Sequence, residues 1–147
     1  MSIKTDETNK KLSISDYFNL YKQLKNKSNN GKDKKLKIAI LSSFTTNGIR
    51  EVLFVKCREL GIDCGFYVGG YNQYSQEILD TNSGLHKFKP DLVILFIDAR
   101  SIFGNNYLLP YGMDDKQRKR FAEEKLQEIR SLVEKLKLNS KAKILLP

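Results

Sequence analysis

Ser42, Ser43, Thr45 and Thr46 stand in KIAILSSFTTNGI, where a short apolar run ends and a helical pattern begins. A hydroxyl at such a junction can attack an acyl group if a neighbouring base takes its proton. It can equally cap the helix, or leave the first helical N–H groups open to an anion. Two further polar stretches follow apolar runs in the same way. GGYNQ supplies Gly69, Gly70, Tyr71 and Asn72, and DARSIFGNN supplies Asp98 and Arg100. Plainer readings stand beside these: Thr46 as an N-cap, Gly69–Gly70 as a turn.

Several chemistries can be weighed on residue type. A phosphate-cradling loop needs closely spaced glycines, and only Gly48 is present after the first run. A receiver-domain reading would put the phosphorylated aspartate at Phe96 and the acidic metal pair at Ser42 and Ser43, which cannot hold Mg²⁺. A haloacid-dehalogenase start would need an aspartate where Arg100 stands. A serine hydrolase could use Ser42 or Ser43 as nucleophile. Its base would have to be His86, the only histidine, which precedes the third apolar run and so belongs at the opposite end of a sheet. His86 has no cysteine or acidic cluster around it, so no metal site is expected.

The elements that must position these residues are legible from periodicity. LKIAIL (36–41), IDCGFYV (62–68), DLVILFI (91–97) and AKILLP (142–147) read as strands. Residues 47–60, 73–80 and 114–138 read as helices, with Thr46 as N-cap and Gly61 as C′ residue of the first. The apolar positions of 47–60 cover more than one stripe, which predicts a helix covered on more than one side. Strands apolar on both faces and separated by helices predict a three-layer, doubly wound α/β domain with a mostly parallel sheet of order 2-1-3-4, flavodoxin-like. Ligands of such sheets sit beyond the carboxyl ends of the strands, where the three polar stretches would meet. Residues 1–35 read as a leader with one amphipathic helix, capped by Ser13 or Ser15, and the linker SNNGKDKK. Residues 36–147 form the α/β domain. The chain stops at a strand exit, so a further helix, and whole domains, are expected beyond Pro147.

The 147 residues carry 26 Lys and Arg against 17 Asp and Glu, a net +9. Residues 1–37 hold ten lysines and four acids, 38–113 six basic and seven acidic residues, and 114–147 ten basic and six acidic. The excess lies in the flanks, which favours an acidic protein partner over nucleic acid. No apolar run approaches the roughly 20 residues of a membrane helix, and no secretory signal opens the chain. Cys57 and Cys64 read as free, reduced thiols of a cytoplasmic protein.

KIAILSSFTT, followed by YNQYSQEILDTNSGLHKFKPDLVILFIDARSIF, resembles the N-terminal domain of FkbH-like proteins over residues 36 to 104. The resemblance implies an SGNH-hydrolase-like domain joined to a C-terminal haloacid-dehalogenase-type phosphatase. It implies a role in loading a phosphoglycerate-derived glyceryl unit onto an acyl carrier protein in polyketide and related pathways. Mg²⁺ would belong to the phosphatase domain and no cofactor to this fragment. FkbH-like domains carry Gly-Ser-Phe-Thr where Ser42-Ser43-Phe44-Thr45 stands. Phe44 falls on the SGNH nucleophile, and Gly69–Gly70 on an oxyanion-hole glycine. A binding or accessory module is therefore expected, its ligand edge made by Ser42, Ser43, Thr45, Thr46, Gly69, Gly70, Tyr71, Asn72, Asp98 and Arg100. Its partners would be a carrier protein or the phosphatase-type domain. The alternative is an esterase with Ser43 as nucleophile, Gly70 and Asn72 as oxyanion donors, and a histidine beyond residue 147. A third possibility makes helix 114–138 a partner-binding surface.

Overall fold

A computed structural model of the chain describes residues 12–26, 34–107 and 112–147. The start of the polar leader and most of the linker expected at 28–35 lie outside the described residues. The element order is α1 (Ile14–Lys25), β1 (Lys34–Ser42), α2 (Ile49–Glu59), β2 (Ile62–Val68), α3 (Tyr74–Leu79), α4 (Gly84–Phe88), β3 (Leu92–Phe96), α5 (Ala99–Phe103), a 3₁₀ turn at Gly104–Tyr107, α6 (Asp115–Asn139) and β4 (Lys143–Leu145). The four strands form one sheet of order β2-β1-β3-β4, and every pairing is parallel. Helices cover both sides, and the N-terminal helix is present.

Two faces explain why the strands are apolar throughout. Successive side chains point to opposite faces. Ala39, Leu41, Val93 and Leu95 pack with Ile78 of α3, Leu85 of α4 and Leu136 of α6. Ile38, Ile40 and Ile94 pack with Cys64, and with Leu53 and Cys57 of α2 on the other side. Leu41, Leu95 and Leu136 are fully enclosed, and burying one such side chain stabilises the fold by about 1.5–3 kcal/mol.

α2 lies between the sheet and α1, as its double stripe implies. Tyr21 of α1 meets Phe54 edge-on at 5.0 Å between ring centroids. Ser13 and Asp16 close α1 with a reciprocal capping box, so of the two serines expected as caps it is Ser13 that serves. The same device, Asp114 with Gln117, opens α6.

Two element starts differ from expectation, and two short helices were not foreseen. β1 begins at Lys34, inside the expected linker, because Lys34 and Lys35 pair with Ile62 and Asp63 and carry the ladder two residues further. α2 begins at Ile49, and its N-cap is Gly48 (φ +89°), not Thr46. The Thr46 carbonyl instead accepts from the Ile49 N–H at 3.2 Å, a turn that delays the helix. Gly61 does take the left-handed conformation of a C′ residue, at φ +69°. The five-residue helices α4 and α5 had no periodic signal; each hangs on its cap, Ser83 and Asp98.

Candidate functional site

The sharp bend after β1 puts two serines to different uses. The Ser42 hydroxyl turns back on its own loop, accepting from the Phe44 N–H (2.9 Å) and donating to the Phe44 carbonyl (2.6 Å). Ser43 points the other way, across to the end of β3. Its Oγ donates to Asp98 Oδ2 at 2.8 Å and accepts from the Asp98 N–H at 3.0 Å. The Ser43 N–H donates to the Phe96 carbonyl at 2.9 Å, extending the β1–β3 ladder by one bond. Ser43 is 1% exposed. It ties two strand ends that are 55 residues apart in sequence.

Asp98 completes the tie. As N-cap of α5 it accepts from the Ser101 N–H at 3.1 Å and from the Ser101 hydroxyl at 2.7 Å. Those bonds, the Ser101 hydroxyl first and the Ser43 hydroxyl next, hold its carboxyl down to about 2. A carboxylate so well satisfied is a poor base for a serine proton. GGYNQ closes the third side. Gly69 donates to the Ile40 carbonyl at 2.9 Å, and a Cβ there would stand 2.8 Å from Leu41 Cδ2, so glycine permits close strand contact. Asn72 adopts φ +53° and donates its N–H to the Ser42 carbonyl at 3.1 Å.

Between these loops opens a cleft of about 450 Å³ lined by Ser43, Phe44, Tyr71, Asp98, Ala99, Arg100, Ser101 and Tyr107. Its walls are aromatic and its charges are one carboxylate and one guanidinium. Tyr71 is 71% exposed, and the Arg100 guanidinium lies 5.9 Å from the centre of the Tyr107 ring. Phe44 packs on Phe96 with centroids 6.0 Å apart while leaving part of its ring open.

The expected edge residues thus divide. Ser43, Tyr71, Asp98 and Arg100 share the cleft, Ser42 is buried behind it, and Asn72 braces it through its N–H. Thr46 lies in a neighbouring hollow with Phe18, Arg50 and Glu51. Gly69 serves packing, the Gly70 carbonyl accepts from the Gln73 N–H at 3.2 Å, and Thr45 is exposed. Phe44, Ser101 and Tyr107 were absent from the expected edge. Ser101 had a readable signal, an N-cap aspartate three residues before it; Tyr107 had none. His86 lies far from this rim. Its Nε2 is 3.1 Å from the Ile78 carbonyl, and it lines a hollow with Asp91 and Lys141 at the other end of the sheet.

No group of three or more His, Cys, Asp or Glu among the described residues could hold a metal ion. At the rim both oxygens of Asp98 are already engaged, so the cleft does not fit Mg²⁺. Cys57 and Cys64 are free; burial, then the Cys57 thiol, pushes Cys64 up to about 12, which leaves it unreactive. No helix among the described residues is long and apolar enough to cross a membrane.

Fold and site together define an open parallel α/β domain with a polar, aromatic-walled cleft at the carboxyl rim of its sheet. Residues 37–146 match the family described as FkbH, N-terminal domain, and the chain belongs to that family. Among solved structures, one resembles it with a TM-score of 0.67 at 19% identity: the N-terminal part of the protein BF1531 from Bacteroides fragilis containing phosphatase domain, complexed with Mg. That likeness is one of fold. It covers 88% of this chain and 32% of the neighbour, so the chain spans about a third of the neighbour's length. No curated protein matches.

Proposed function

We propose that this chain is a binding or accessory module that holds an acyl, glyceryl or pantetheine group, or the carrier protein bearing it, for a phosphatase-type domain. The observation that carries the reading is the state of the rim's polar groups. The Ser43 hydroxyl is tied at both its donor and an acceptor position to Asp98, and the Asn72 N–H is tied to Ser42. Neither group is left to attack an ester or to stabilise an oxyanion. The nearest imidazole, that of His86, sits at the other end of the sheet. In this reading an SGNH-like framework is kept for binding, and Mg²⁺ chemistry belongs to the phosphatase-type domain.

The cleft offers what such a ligand needs. Phe44, Tyr71 and Tyr107 give apolar faces to a short aliphatic chain, and Arg100 gives an anionic or carbonyl group a donor. The fold relation to a phosphatase-domain protein supports the placement beside such a domain. The test is a titration of this chain with apo- and holo-acyl carrier protein at low salt. Binding of the holo form that weakens at least about tenfold in Arg100→Ala and Tyr71→Ala is the expected result. No binding to either form sinks the proposal. Turnover of a short ester that vanishes in Ser43→Ala, with the fold intact, would replace it by the esterase.

A further inference from the structure

The amino-terminal edge of the sheet, opposite the cleft, gathers charge from several elements. Lys34, Lys35 and Lys37 open β1, Lys87 and Lys89 follow from α4, Lys137 ends α6, and Lys141 and Lys143 lead β4. All eight are exposed. The register brings their strand starts to one edge, with Lys35 and Lys37 on the α4/α6 face of the sheet and Lys34 and Lys143 on the α2 face. The Lys37 N–H donates to Asp91 Oδ2 at 2.8 Å, and the Lys143 N–H donates to the Asp91 carbonyl at 2.9 Å. Neighbouring strands lie about 4.8 Å apart. Lys89 and Lys141 line one hollow of about 410 Å³ beside His86.

Little on this edge offsets the charge. Asp63 is paired with Arg58 at 3.2 Å, and Glu59 with Lys56 at 2.8 Å. Asp91, which accepts from the Lys37 backbone N–H, keeps its charge and offsets one of the eight. None of the eight lysines forms an ion pair among the described residues; Lys37 Nζ donates to the Phe88 carbonyl at 3.3 Å and lies 5.5 Å from the centre of the Phe88 ring. The two most exposed large apolar residues, Leu60 (74%) and Leu138 (78%), end α2 and α6 on the same edge. Like charges held together without partners raise the energy of the free surface, and an anionic surface relieves it.

We propose that this edge docks an acidic protein surface, which would meet the lysines with carboxylates and cover Leu60 and Leu138. The side-chain types select that class. The charges are ammonium groups, without the planar fork that reads phosphates and bases bidentately. The Phe88 ring beside Lys37 is half-buried and packs on Tyr67, so it is not free to stack a base. The cluster is assembled from strand starts and helix ends, not from a basic amphipathic helix that would lie in a bilayer surface. β1, with nine residues, separates the edge from the cleft by about 30 Å, so this proposal stands apart from the first.

The test uses poly-L-glutamate as the acidic probe, titrated into the 147-residue chain at low salt. Lys87→Glu/Lys141→Glu/Lys143→Glu is expected to weaken binding at least about tenfold. Lys116→Glu/Lys119→Glu, on the first turns of α6, is expected to weaken it less than about threefold. Unchanged melting temperatures show that both variants keep the fold. Equal losses in the two variants, or wild-type affinity in the triple variant, overturn the proposal. So does tighter binding, at the same ionic strength, of phosphatidylserine vesicles or of a DNA duplex than of polyglutamate.

Discussion

Replacing Ser43 by alanine separates the two uses a buried serine could have at the end of β1. The substitution removes one hydroxyl that donates to Asp98 Oδ2 and accepts from the Asp98 N–H. The carboxylate keeps both bonds to Ser101, but the Asp98 N–H is left without its acceptor. An unsatisfied, part-buried donor costs at most about 1–3 kcal/mol. In a domain of this size, each kcal/mol shifts the melting temperature by about 2–4 °C. Ser43→Ala should therefore melt about 2–12 °C below wild type. Its urea midpoint should fall at constant slope, since the surface exposed on unfolding is the same.

The same substitution has a signature in pH. The Asp98 carboxyl is held at about 2, below its ordinary 3.8, so the folded state favours the carboxylate. That contribution is fully present above the ordinary value and is lost as pH falls through about 2. Ser43 supplies the second-largest part of the depression, after the Ser101 hydroxyl. In Ser43→Ala the Asp98 carboxyl should titrate higher, as read by carbon NMR of the side chain. The stability gap to wild type should narrow between pH 4 and pH 2. A variant with wild-type stability and an unmoved Asp98 titration would show that Ser43 does not tie the strand ends, and the reading of the rim would fall with it.

Two other perturbations probe the packing behind the site. A Cβ at Gly84 would run into the Tyr67 ring, 2.7 Å from Cζ, so Gly84→Ala should lose about 1–3 kcal/mol in denaturant unfolding; a neutral result would mean that Tyr67 moves aside freely. Burial, then the hydrogen bond to Glu77 at 2.7 Å, raises the Tyr67 phenol to about 12. Because the folded state favours the protonated phenol, stability should decline as pH rises from about 10 to about 12, and Glu77→Gln should bring the Tyr67 ionisation down in an ultraviolet titration.

The sheet order followed from sequence because each determinant is local. Apolar runs such as 91–97 mark strands with both faces covered, and the helical segments between them force parallel pairing. The two-sided pattern of α2 likewise foretold a covering element, which proved to be α1. Boundaries were less legible where backbone geometry competes with side-chain preference. Thr46 has the chemistry of a cap, yet the left-handed Gly48 sets where the helix begins.

Sequence by itself determined the class of fold, the end of the sheet where polar loops gather, and the remoteness of His86 from them, since all three follow from periodicity and chain order. Only the tertiary structure decided what those polar groups do. The bonds that commit Ser43 to Asp98 and Asn72 to Ser42 join residues distant in the chain, and no local pattern states which hydroxyl faces which carboxylate. The lysine edge shows the same division: the charges are visible in the sequence, but parallel strand register is what brings Lys37 and Lys143 to either side of Asp91.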